Sequence, residues 1–186
     1  LFGRLWQAGI PHVALLAPAA PDPAWLVAAV QEATSAGLIC GVSGRASDLA
    51  AGKLLDDMMA AGLDHLTLAY ASHRPEQHDA LLGAGDHALA EALFARTEAL
   101  ALAGVAQIPL LAATVDDLDE TLARLLALGV ANALFFAVAT TGQGDDGTIP
   151  AAAMAQMAAD VEEAAEQAEV LYQWQPPVLR RADLAL

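Results

Sequence analysis

The chain has 186 residues, 56% of them hydrophobic, with 23 acidic against 8 basic side chains and a net charge of −15. That much apolar content excludes a disordered polymer, and that much negative charge repels phosphate backbones and anionic bilayers, so neither nucleic acid nor a membrane is expected as a partner. The single cysteine, Cys40, excludes an intrachain disulfide framework and any thiolate-built zinc or iron–sulfur site formed by this chain alone.

After an amino-terminal stretch over 1–10, short apolar runs recur at His12 to Leu16, Leu38 to Val42, Leu66 to Tyr70, Ile108 to Ala112, Ala133 to Val138 and Val170 to Trp174. They are too short for helices and continuous rather than alternating, as strands covered on both faces of a parallel sheet are. Between them lie amphipathic stretches at Pro23 to Ser35, Ser47 to Ala61, Asp86 to Ala103, Asp116 to Leu128 and Pro150 to Gln167, each predicting a crossover helix. Gly9, Gly37, Gly62, Gly104 and Gly129 precede the next runs, where a left-handed residue turns a helix end into a strand. No apolar run reaches the ~18 residues that a bilayer requires. Together these features predict an α/β fold: a partial (β/α) TIM-like barrel of about six mostly parallel strands with outer helices, one domain over 1–186 with 175–186 as an exit segment. No basic-then-apolar leader is seen, which predicts a cytoplasmic location.

Successive glycines are 28, 25, 42 and 25 residues apart, and the surplus lies in Ser72 to Gly85, an elongated loop after the third strand. In parallel βα proteins such loops face the ligand crevice. His73, His78 and His87 fall in or beside it with Asp79 and Asp86, but no pair has metal-binding helical spacing, so this polarity reads as solvated. His12 and His65 open their runs at the barrel's amino end, where residues serve stability. Asp116, Asp117, Asp119 and Glu120 suit a helix first turn. No G-x-G-x-x-G follows a strand and no phosphate-binding P-loop exists.

The segment AGLDHLTLAYASHRPEQHDALLGAGDHALAEAL, with Pro75, Glu76, His78, Asp79 and Gly83, is similar to the strand, elongated loop and helix of radical S-adenosylmethionine enzymes. Thr140-Thr141-Gly142-Gln143-Gly144 resembles the Pro-Thr-Gly-Arg-Gly turn of many members, and the order of elements from Ala8 to Arg181 resembles their partial barrel, entered just after its first strand. The resemblance implies S-adenosylmethionine and a [4Fe-4S] cluster as cofactors and reductive cleavage to a 5′-deoxyadenosyl radical. It also implies that 1–10 is a helix following a missing first strand, and that an upstream segment or partner domain completes the fold.

This chain departs from the family at the chemistry. The Cys-x3-Cys-x2-Cys cluster loop is not in the sequence, the Gly-Gly-Glu-Pro turn corresponds to Pro18-Ala19-Ala20-Pro21, and Thr-Asn-Gly corresponds to Val42-Ser43-Gly44. The cofactor-facing positions implied are Ala19, Ala20, Ser43, Gly44, Arg45, Ala71 and Ser72, with Ser43 supplying the one hydroxyl in place of the usual polar contacts. These losses predict a truncated, degenerate domain, inactive by itself. Two other readings are a non-catalytic binding or scaffold barrel, and a βα-barrel enzyme acting on a small anionic metabolite through Arg45 and a loop histidine.

Overall fold

A computed structural model of the chain describes residues 1–137 and 153–175. Six strands form one sheet in sequence order, every neighbouring pair parallel: β1 (His12–Leu16), β2 (Ile39–Gly44), β3 (His65–Ala69), β4 (Ala103–Leu110), β5 (Asn132–Ala137) and β6 (Leu171–Trp174). The sheet curls into a half-barrel. Helices fill the crossovers: α1 (Phe2–Gln7) before β1, α2 (Pro23–Ser35), α3 (Ala46–Leu49) and α4 (Leu54–Ala60), α5 (Pro75–Leu82) and α6 (Asp86–Ala99), α7 (Leu118–Ala127), and α8 (Met154–Gln167). The α/β partial barrel expected from the sequence is the architecture observed. The Thr140–Gly144 turn, Pro150 and the segment from 176 onward lie outside the described residues.

The helices cover one face of the sheet. Register places Leu15, Val42, Leu66 and Gly104 in one row and Gly44, Leu68 and Ala106 in the next, with Val13 beside Cys40 one row earlier, and β2 to β4 bury their positions on this face under Leu26, Val30, Met58, Phe94 and Leu122. Phe135 continues the layer, its ring centroid 6.0 Å from Tyr172 and 5.7 Å from Trp174. Tyr70, Phe94 and Phe135 are among the largest fully buried side chains, and apolar burial of this kind is the main stabilising term.

Alternate positions form the concave face, and here the expectation of strands covered on both sides fails at the rims. Leu16 of β1 is 76% exposed and Leu171 of β6 is 73% exposed, because a half-barrel does not fold its outer strands over its own interior. Other boundaries shift for local reasons. The helix expected over 47–61 is two, since Gly52 adopts φ 53° between α3 and α4. β4 starts at Ala103, not Ile108, and Gly104 lies inside it, packed where a Cβ would meet Thr97 Oγ1 at 3.0 Å. The left-handed turn after α6 falls to Ala101 at φ 53°. The elongated loop also contains a helix, α5, with Pro75 in its first turn, where a missing N–H costs nothing.

Candidate functional site

The carboxyl ends of β1, β2 and β3 and the middle of β4 surround a cleft of about 420 Å³ lined by Leu16, Ala17, Ala19, Ser43, Gly44, Arg45, Asp48, Ala69 and Gln107. Larger grooves, including one of about 680 Å³ between α2 and α4, lie on the outer helix layer, away from the strand ends where βα proteins place chemistry. Of the implied cofactor-facing positions, Ala19, Ser43, Gly44 and Arg45 line this cleft together. Gly44 lets the ends of β1 and β2 close up, as a Cβ there would meet Ala17 Cβ and Leu49 Cδ1 at 3.2 Å.

Arg45 is not a free cation. Its Nε and Nη2 donate to both oxygens of Asp48 at 2.8 and 3.2 Å, and its Nη1 donates to the carbonyl of Leu82 at 3.4 Å. The guanidinium holds the Asp48 carboxyl below its usual range, and Asp48 in return raises the arginine. Asp48 also accepts the Ala20 N–H at 3.0 Å, so Ala20, in the left-handed region at φ 49°, anchors the loop after β1 without lining the cleft.

Ala71 and Ser72 do not line this cleft; the Ala71 N–H and the Ser72 hydroxyl join a buried polar network built by α5 and α6. The Ala71 N–H donates to His78 Nδ1 at 3.3 Å, and His78 Nε2–H donates to Asp86 Oδ2 at 3.0 Å, with both side chains fully buried. Asp86 Oδ1 accepts the Ser47 N–H at 2.7 Å. Burial pushes the His78 pKa down, and its Nδ1 acceptor role fits a neutral ring. The Asp79 carboxylate accepts the N–H groups of Gly85 and His87 at 2.7 and 2.9 Å, which lower its pKa and cap α6. Tyr70 donates to Glu91, and Glu91 pairs with Arg124 through two 2.7 Å hydrogen bonds. The solvated polarity expected around His78, Asp86 and His87 is therefore corrected: these groups knit the β2, β3 and α6 ends together.

Asp48 and Gln107 belong to the cleft and were not anticipated. Gln107 is the one polar residue within the AGVAQIPL strand β4, and its Nε2 donates to Gln175 Oε1 at 3.3 Å. Cys40 sits on the opposite, helix-covered face of β2, and burial pushes its thiol up to about 11. Among the described residues no three His, Cys, Asp or Glu side chains gather to hold a metal. One buried thiol facing the helices does not fit a [4Fe-4S] cluster, whose ligands are thiolates.

Solved structures share this architecture. The chain matches a domain of pyruvate-formate lyase-activating enzyme from Bacteroides vulgatus with TM-score 0.60 and 13% identity, over 82% of this chain and 90% of that one. It matches SuiB from Streptococcus suis, also solved bound to S-adenosylmethionine, with TM-score 0.62 and 10% identity over 93% and 41%. It matches HemN of Escherichia coli, a coproporphyrinogen III oxidase and radical SAM enzyme, with TM-score 0.61 and 14% identity over 90% and 44%. The fold is an α/β partial barrel like those of these enzymes. The chain spans less than half the length of SuiB and HemN, and at these identities the likeness concerns the fold alone. No protein-family model matches the chain, and no curated protein matches it in sequence. Among the described residues no helix is long and apolar enough to cross a membrane.

Proposed function

We propose that this chain is a radical SAM-like half-barrel with worn cofactor contacts, which takes S-adenosylmethionine weakly in the cleft at the ends of β1 to β3 and contributes no cluster ligands. The supporting observation is the cleft lining. Ser43 and Gln107 supply its side-chain polar atoms, Ala17, Ala19 and Ala69 supply methyl groups, and Arg45 and Asp48 satisfy each other. A ligand with many hydrogen-bonding groups leaves several unpaired here, each costing about 1 to 3 kcal/mol, or roughly tenfold or more in affinity. The net charge of −15 favours a ligand carrying an ammonium and a sulfonium over an anionic metabolite. With Arg45 engaged, the alternative of an enzyme acting on an anion loses its cation.

Calorimetric titration of the chain with S-adenosylmethionine, beside anaerobic incubation with iron and sulfide, tests this reading. Saturable binding at high micromolar to millimolar concentration, without cluster absorption, is the expected result. Low-micromolar binding or a stoichiometric cluster would overturn the worn-contact reading, and no heat at millimolar ligand would favour the non-catalytic scaffold.

A further inference from the structure

The geometry points to a second site at the other end of the concave face: His12 and His65 form a two-imidazole chelate for one borderline divalent transition-metal ion such as Zn²⁺ or Cu²⁺. Both residues open their strands, and their register puts them on the concave side, four residues or about 13 Å along the same strands from Leu16 and Ala69 of the cleft. The site is independent of the adenosyl reading.

His12 Nε2 and His65 Nε2 are 3.4 Å apart. Two nitrogens each about 2.05 Å from a tetrahedral ion lie about 3.35 Å apart, so the observed separation is the chelate span. The ring centroids are 4.9 Å apart with planes inclined at 55°, so the ring tips lean toward each other instead of stacking. Two neutral rings facing through Nε2 share at most one hydrogen, because one nitrogen must present a lone pair. A cation takes both lone pairs.

Gly41 builds the seat. It lies beside His65 in the β2–β3 register, and a Cβ at this position would occupy the place of the His65 imidazole. A glycine within a strand weakens it and commonly marks a close approach, which here is the ring laid across bare backbone. His12 is exposed and His65 half-buried, leaving two positions of a tetrahedral ion open to water. The carboxylate of Asp64, adjoining His65 in sequence, and the negative charge of the whole chain favour a cation there. Imidazole nitrogens suit Zn²⁺, Cu²⁺ and Ni²⁺ rather than Mg²⁺ or Ca²⁺.

The test uses the chain without an affinity tag, titrated calorimetrically with ZnCl₂ and loaded with one equivalent of CuCl₂ for pulsed electron paramagnetic resonance. The expected result is one ion per chain with two coordinated imidazoles. His12→Ala and Gly41→Ala should each weaken binding on the order of tenfold or more, since the second imidazole then no longer acts at high effective concentration. His73→Ala should leave it unchanged. Circular dichroism checks each variant's fold, and His12, exposed on an outer strand, is the variant least able to disturb it. Affinity unchanged in both His12→Ala and Gly41→Ala, no binding up to millimolar metal, or a copper spectrum without an imidazole pair would overturn the proposal.

Discussion

His78 and Asp86 are buried against each other, and removing either partner strands the remaining one without water. His78→Ala leaves Asp86 Oδ2 and the Ala71 N–H without their partner, Oδ1 keeping only the Ser47 N–H, so it is expected to cost about 3 to 5 kcal/mol, read as a shift in the urea unfolding midpoint. The pH dependence follows from the same ring. Its native pKa is lowered from an ordinary value of 6.5, so below about pH 6.5 the unfolded chain binds a proton that the native ring refuses. Stability from this group is therefore present above pH 6.5 and lost as pH falls toward the native value. His65, also lowered by burial and by the neighbouring His12, acts with the same sign. Unfolding free energy should fall between pH 7 and 5, with a shallower slope in His78→Gln; equal slopes would refute this assignment. The residue types were legible, but their burial was not. PEQHD reads as a polar loop until α5 folds back against α6.

Four of the five predicted helix-ending glycines, Gly9, Gly37, Gly62 and Gly129, adopt positive φ. The fifth position exchanges roles with Ala101. An alanine held left-handed is strained by roughly 1 to 2 kcal/mol, whereas glycine there loses more chain entropy, so Ala101→Gly is expected to stabilise by about 0.5 to 1 kcal/mol. Gly129→Ala, at φ 80° with Glu98 crowding the added methyl, is expected to destabilise by about 1 to 2 kcal/mol in the same denaturation assay. Strand positions were legible from apolar runs. Their boundaries were not, because β4 extends back to Ala103 only where Gly104 allows it to pack against Thr97, Phe94 and Val130. Ser43 and Gly44 likewise enter β2 through pairing with Leu16 and Leu68 rather than through their own weak strand preference.

Among the described residues β1 and β6 are the outer strands, each paired on one side only, and Leu16, Ile39 and Leu171 are exposed on the concave side. Such edges template association, while the charge of −15 opposes it. Self-association should therefore rise with salt, which screens the repulsion, and the double variant Leu16→Lys, Leu171→Lys should reduce it in sedimentation velocity runs. Indifference to both salt and substitution would argue against the open-edge account. The order of strands and helices, the parallel pairing and the acidic exterior were already written in the chain, because hydrophobic period, helix-ending glycine and charge act over a few neighbouring residues. Which side chains meet was decided only by the curled sheet. It sets Arg45 against Asp48, seals His78 on Asp86 across a helix and brings His12 to His65 over Gly41, contacts that span 3 to 53 positions and depend on register and burial, not on local pattern.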